Sequence, residues 1–330
     1  EVFALDVVGE RDGRLVRVGF GFRADRQLPV HHDPLGGQLE VFRVRESQRA
    51  FDRQAVQCRR ADVEDDVFAR GNGDLVARVL AGRGVTTADL PAYLEPRIRD
   101  LMPDPSTITD MDLAAERLAK AILGGETVAI FGDYDVDGAC SSALLGDFLR
   151  ACGVPFIIHI PDRIFEGYGP NVEAIKKLAT EGAKLLVTVD CGTTSFEPIE
   201  EAKKLGLDTL VIDHHQAPVE LPQVDALVNP NRQDDLSGLG NLCAAGVVFM
   251  TLVATTRMLR DRKFFNASQR EPDLLAALDL VALATIADVV PLKGLNRAFV
   301  RQGLAIARAR SRIGLRALAD AARLDGPITP

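Results

Sequence analysis

The sequence predicts an α/β protein: a parallel sheet flanked by helices, followed by a helical C-terminal segment. Three observations carry this. Short continuous apolar runs alternate with amphipathic stretches between residues 127 and 213. Acidic turns follow three of those runs directly. Beyond residue 240 no strand-like run remains, and the spacing of apolar residues is helical.

TVAIF (127–131), PFIIHI (155–160), KLLVTVD (184–190) and DTLVID (208–213) are the strands. They are apolar throughout rather than alternating, as expected for strands covered on both faces. SSALLGDFLRACG (141–153), NVEAIKKLATEG (171–182) and FEPIEEAKKLG (196–206) are the intervening helices, which makes the sheet Rossmann-like. Upstream, LVARVLAGRG reads as a helix closed by glycine. DMDLAAERLAKAILGG reads as a helix with Asp110 as N-cap and the glycine pair as its stop. Residues 73–125 thus form a helical N-terminal region, 126–295 the main domain and 296–330 basic linker helices. Residues 1–72 stay unassigned between disorder and a hairpin-containing segment, with Asp12-Gly13 as the turn of the hairpin.

The 330 residues carry a formal charge of −8, with 47% hydrophobic and 26% charged residues, ordinary for a globular protein. The net charge argues mildly against a polyanionic partner, although bound divalent ions would cancel much of it locally. The five cysteines are scattered, so neither a disulfide framework nor a zinc knuckle is expected. No segment reads as a signal peptide or membrane span, and the expected location is the cytoplasm.

Asp133-Tyr-Asp135-Val-Asp137-Gly138, Asp190-Cys-Gly-Thr193 and Asp213-His214-His215 each follow a strand. In an open parallel sheet ligands bind at the carboxyl ends of strands, so the three clusters converge on one edge. Carboxylates with imidazoles and no thiolates suit Mn²⁺ or Mg²⁺. Asp288, an acid inside the apolar run ALATIADVVPL, needs a metal or an ion-pair partner. Two ions roughly 3.5–4 Å apart would clamp a phosphoester. Ser141, placed in the first turn of its helix, would bind a phosphate there. Plainer readings stand beside these. The DxDxDG run resembles a calcium loop, but the closing Glu is replaced by Leu144. Asp190 alone could be a helix cap. His31-His32 read as surface residues.

In PDRIFEGYGPN (161–171), Arg163 can fork onto a phosphate and Tyr168 can stack on a base. Asn171 is either a further contact or a helix cap. Residues 289–319 contain Lys293, Arg297, Arg301, Arg308, Arg310, Arg312 and Arg316 and no acid. With Arg297, Arg301 and Arg308 near one helical face, this is a candidate polyanion footprint, or else a solvated face.

GDYDVDG (132–138), VTVDCGTTS (187–195), VIDHH (211–215) and ATIADVVPL (284–292) resemble the four motifs of the DHH phosphoesterase superfamily. Within it, IPDRIFEGYGPN, LCAAGVVF and GLNRAFVRQGL are similar to the RecJ exonuclease family. The resemblance covers residues 73 to 330. It implies 5′→3′ hydrolysis of single-stranded DNA with two Mn²⁺ or Mg²⁺ ions, in DNA repair and recombination. It implies Asp135, Asp190, His214 and His215 as catalytic residues. It also implies that Asp135, Asp190, His214 and Asp288 hold one ion, that Asp133, Asp137 and His215 complete the second, and that Asp213 orients a histidine. By resemblance the partners are a single-strand-binding protein and a helicase, and a DHHA1 domain and an OB-fold would follow the linker helices. Two alternatives remain: a catalytically incomplete metal- and DNA-binding fragment, or a haloacid-dehalogenase-like phosphatase. The last places Ala139 where Thr or Val is usual and leaves Asp190 and the histidines unexplained.

Overall fold

The computed structural model describes residues 3–11, 14–22 and 74–328. The chain divides into two units, Glu1–Thr86 and Thr87–Pro330. In the first, β1 (Phe3–Arg11) pairs antiparallel with β2 (Arg14–Phe22), Arg11 opposite Arg14, and α1 spans Asp74–Gly82. The Asp12-Gly13 turn, His31-His32 and Cys58 lie outside the described residues.

The second unit opens with the short helices α2 (Leu90–Leu94) and α3 (Ile98–Leu101), then α4 (Met111–Gly124). Next come β3 (Val128–Gly132), α5 (Val136–Ala151), β4 (Phe156–His159), α6 (Val172–Thr180) and β5 (Leu185–Val189). They are followed by α7 (Phe196–Lys204), β6 (Asp208–Ile212) and β7 (Ala226–Val228). The chain then turns helical with α8 (Ala244–Asp261), α9 (Leu278–Ala287), α10 (Gly294–Ala307) and α11 (Ile313–Ala321). The sheet order is β4-β3-β5-β6-β7, and every neighbouring pair is parallel. The fold expected from the sequence is the fold found.

Side chains alternate across each strand, and the two faces of β3 show what this builds. Val128 and Ile130 face a large core with Leu118 and Ile122 of α4, Leu145 of α5 and Val248 of α8. Ala129 and Phe131 face the other way, against Ile175 and Leu178 of α6 and Ala202 of α7. α8 is buried along most of its length, as expected of a helix apolar on all sides.

Three local readings need correction. α5 starts at Val136, not residue 141, because the Asp135 carboxylate caps it by accepting from Gly138 N–H at 2.9 Å. Asp110 does not cap α4. Its backbone is left-handed (φ 61°), and its carboxylate accepts from Arg232 and from the Leu227 N–H. Strand β7 went unforeseen. The glycine stop after α4 holds: Gly125 is left-handed (φ 63°) and returns its N–H to the helix.

Among the described residues the four cysteines, 140, 152, 191 and 243, are free and buried. No helix among them is long and apolar enough to cross a membrane.

Candidate metal centre

From β3 the chain goes to β4 on one side, then crosses to β5 on the other side of β3, all three strands running parallel. The strand order therefore reverses between β3 and β5, where the turns after the two strands diverge and leave a crevice. Asp133 and Asp190 stand at the first positions after these strands, tied in register by Asp133 N–H to Val189 O and Asp190 N–H to Ile212 O. Asp213 follows β6 in the same way, its N–H on Val228 O. Each acid emerges at the same level of a buried edge.

Close packing forces glycine at two of these turns. A Cβ on Gly138 would lie 2.4 Å from Asp133 O, so the first turn of α5 can press on the Asp133 backbone only without a side chain. A Cβ on Gly192 (φ 112°) would lie 2.3 Å from Thr188 Oγ1. Asp190 itself is left-handed (φ 62°), as is Val289 (φ 58°), the residue after Asp288. A β-branched residue rarely adopts this conformation. Such strain collects where the surroundings dictate geometry for function.

Three groups of ligand-type atoms lie within 4.8 Å of one another: Asp133, Asp135 and Asp190; Asp190, His214 and His215; and Asp137, His214 and Asp288. Asp190 and His214 each belong to two groups. His214 Nε2 lies 3.3 Å from Asp190 Oδ1, 3.7 Å from Asp137 Oδ2 and 3.7 Å from Asp288 Oδ2. Yet His214 Nε2, Asp190 Oδ1 and Asp133 Oδ1 are all buried without a hydrogen-bond partner among the described residues. Buried polar atoms are normally satisfied, so orphans on three residues of these groups, which Asp190 links, fit bound cations. Oxygen and imidazole donors, with no thiolate in the groups, suit a hard divalent ion.

Electrostatics agrees. Burial raises the Asp190 carboxyl to about 10, with the charges of Asp137 and Asp135 adding to it. Burial raises Asp137 to about 6. Burial also lifts Asp133 and Asp288 above the usual carboxylate range. Acids crowded this way need a positive charge to ionise together.

Asp213 behaves differently. Burial opposes its charge, but hydrogen bonds from His215 and Thr193 outweigh that and hold the carboxyl well below its ordinary value. Its Oδ1 takes His215 Nδ1 at 2.8 Å and the His214 N–H at 2.7 Å, and its Oδ2 takes the Thr193 N–H at 3.1 Å. The hydrogen bond to Asp213 raises His215 above its ordinary value. An ionised Asp213 keeps the proton on Nδ1 and fixes the ring. Asp137 is also tethered: its oxygens accept from Ala244 N–H at 2.6 Å and Ala245 N–H at 2.8 Å, docking the start of α8 on the site.

The residues expected at the substrate divide. Tyr168 is at the site. Its hydroxyl donates to Asp190 O at 3.2 Å, and its ring stands edge-on to His215 and Tyr134. Arg163 lies over the Tyr134 ring, 5.0 Å from its centre. Ser141 is fully buried in the second turn of α5, because the helix begins earlier than expected, so its hydroxyl does not present itself to a phosphate. Asn171 is the cap of α6, accepting from Ala174 N–H at 2.8 Å, and its amide donates to Glu166 at 3.1 Å. Arg297 and Arg301 are spent on α2: Arg297 donates to Tyr93 O at 2.7 Å and stacks on the Tyr93 ring, and Arg301 donates to Leu94 O at 3.1 Å. Both close a helix C-terminus, where unsatisfied carbonyls attract cations.

Sequence reasoning missed Asn229 and Asn231. Asn229 donates to Thr193 Oγ1 and to His215 O, and Asn231 donates to His214 O. The one signal was Asn-Pro-Asn directly after an apolar triplet.

Residues 127–285 match the family model for the DHH family, N-terminal domain. The single-stranded-DNA-specific exonuclease RecJ of Escherichia coli (strain K12) is 35% identical over 277 residues, covering 83% of this chain and 47% of that protein. The protein of the same name from Bacillus subtilis (strain 168) is 37% identical over 245 residues, 74% of this chain and 29% of its own. The crystal structure of RecJ in complex with Mn²⁺ from Thermus thermophilus superposes with a TM-score of 0.63 at 31% identity, covering 80% of this chain and 36% of that one. The chain thus spans less than half the length of these relatives. With the motif acids and histidines gathered at one strand edge, the chain carries a RecJ-like DHH-family domain.

Proposed function

We propose that this chain is the DHH half of a metal-dependent 5′→3′ exonuclease that hydrolyses phosphodiester bonds of single-stranded DNA in repair and recombination. The observation that carries the reading is the convergence of Asp133 Oδ1, Asp190 Oδ1 and His214 Nε2, buried and without partners, at the crevice between β3 and β5. The substrate class comes from the relatives, which are single-stranded-DNA-specific exonucleases, and the metals from solved RecJ structures in complex with Mn²⁺ or Mg²⁺.

Asp133, Asp135 and Asp190 would hold one ion, and Asp190, His214 and Asp288 a second, with Asp190 shared. Divalent ions there supply Lewis-acid stabilisation of phosphoryl charge and acidify water. The chain supplies the rest. Asp213 holds the Nδ1–H of His215 and favours its protonated form, whose Nε2–H is left to donate to a phosphate oxygen or a leaving group. Asp137 fixes α8 against the site. Tyr168, half-exposed and braced on Asp190 O, offers a ring face at the rim for a terminal base, and Arg163 beside it a fork for its phosphate. A single-strand-binding protein and a helicase belong to this reading as partners.

A second reading is favoured by the short coverage of the relatives: a fragment that binds metal and single-stranded DNA without turnover. Incubation of a 5′-labelled single strand with the chain and Mn²⁺, beside a matched duplex, separates the two. Labelled mononucleotide from the single strand alone supports the exonuclease. Mn²⁺ binding without release supports the fragment. Release from a labelled 3′ end alone contradicts the direction.

A further inference from the structure

We propose that Asn229 and Asn231, at the end of β7, are positioning residues that hold the His214-His215 pair in its working geometry. The proposal deepens the metal-phosphodiesterase reading and rests on it.

The two histidines follow β6 in a turn with no regular structure. No backbone amide outside helices and strands takes either of their carbonyls among the described residues. The asparagines take both. Asn229 Nδ2 donates to His215 O at 2.9 Å, and Asn231 Nδ2 donates to His214 O and, at 3.0 Å, to Gly240 O. Asn229 is fully buried and fully used. Its second amide hydrogen goes to Thr193 Oγ1 at 3.0 Å, and its oxygen accepts the Asn231 N–H at 2.8 Å. Flipping the amide would set oxygen against the His215 carbonyl and nitrogen against the Asn231 N–H, so the orientation is dictated by its partners.

The clamp closes a ring of contacts around His215. Asn229 holds Thr193, the Thr193 N–H holds Asp213, and Asp213 holds His215 Nδ1, while Asn229 also holds the carbonyl of the same histidine. The imidazole is therefore fixed from its nitrogen and from its backbone by one network spanning the turns after β5, β6 and β7. His214 sits beside it, with its Nε2 orphaned and facing Asp190 and Asp288. A shift of its backbone moves that nitrogen directly. Side chains that orient ligands are worth roughly 10–100-fold in metal affinity.

The test titrates Mn²⁺ into the wild-type chain and four variants, following free Mn²⁺ by electron paramagnetic resonance, with metal-free melting curves alongside. Asn231→Ala and Asn229→Asp (same size, donors removed) are expected to weaken Mn²⁺ binding roughly 10–100-fold while the metal-free chain still melts cooperatively. Thr193→Val should weaken it as well, and Thr193→Ser, which keeps the hydroxyl, should restore it. If Asn229→Asp does not fold, Asn231→Ala and the Thr193 pair decide. Wild-type Mn²⁺ affinity in folded Asn231→Ala and Thr193→Val would overturn the clamp and leave the metal site standing. A wild-type chain that binds no Mn²⁺ would overturn the metal site and the clamp together.

Discussion

The acidic edge of the sheet and the basic C-terminal helices look like mirror images in the sequence, each a concentration of one charge. The structure treats them oppositely. At the sheet edge, buried ligand atoms of Asp133, Asp190 and His214 lack partners. In the basic stretch, Arg297 and Arg301 bind carbonyls of α2, Arg310 binds Asp320 and the carbonyls of Leu324 and Gly326, and Arg312 bridges Asp279 and Asp147. The partners of these arginines come from other elements, so a stretch without acids in sequence is not without acids in space. What marks a site is a shortage of partners, and charge density along the chain does not report it.

The largest effects should come from the orphaned atoms. Asp190→Ala and His214→Ala are each expected to lower Mn²⁺ affinity by more than the roughly 10–100-fold typical of residues that merely orient ligands. The metal-free fold should survive, since these atoms hold nothing else. Calorimetric titration with a circular-dichroism melt measures both. Near wild-type affinity in either would erase the contrast between the two regions.

In the basic stretch the loss should fall on stability instead. Asp279 is 3% exposed and pairs with Arg312, so Arg312→Met leaves a buried carboxylate without its counter-charge and should cost about 3–5 kcal/mol, read by urea denaturation. An unchanged midpoint would mean that the pair is replaceable.

The crowded acids also set a pH dependence. Folded Asp137 and Asp190 bind their protons more tightly than the unfolded chain, with values raised to about 6 and about 10. Their contribution is therefore most favourable at pH below the unfolded carboxylate value and is lost as pH rises through the folded values. Without metal, the melting temperature should fall between about pH 5 and about pH 9, and saturating Mn²⁺ should flatten that slope. Asp190→Asn should flatten it without metal. A metal-free chain that gains stability over this range would contradict the crowding.

The smallest effect separates the arginines. Arg308 and Arg316 are exposed and have no partner among the described residues. If this face meets DNA, each change to Ala should lower the salt slope of single-strand binding by about 1 with stability changed by less than about 0.5 kcal/mol. Arg297→Met should do the reverse.

The sheet was legible because four strands are apolar runs, three of them leading directly into acidic turns, and period and position there agree. β7 was not, since Ala226–Val228 is too short to show a pattern. With it went Asn229 and Asn231, whose meaning depends on lying beside β6 in space, 14 and 17 residues from the histidines they hold. The metal-ligand types were legible from their places after strands. Ser141 was misplaced because Asp135-Val-Asp-Gly looks like a turn, and nothing local reveals that Asp135 caps a helix already under way. Asp110 looked like a cap for the converse reason: its partner, Arg232, comes from 122 residues away.

Asp133 Oδ1, Asp190 Oδ1 and His214 Nε2, buried without partners among the described residues, are read as ligands of divalent ions. The most direct test of this reading is Mn²⁺ titration of the chain at neutral pH, with proton release measured in the same calorimetric experiment through buffers of different ionisation enthalpy. Tight binding is expected, accompanied by net proton release as the raised carboxyl of Asp190 ionises, with both lost in Asp190→Ala. Failure to bind Mn²⁺, or binding that is unchanged in Asp190→Ala, would contradict it.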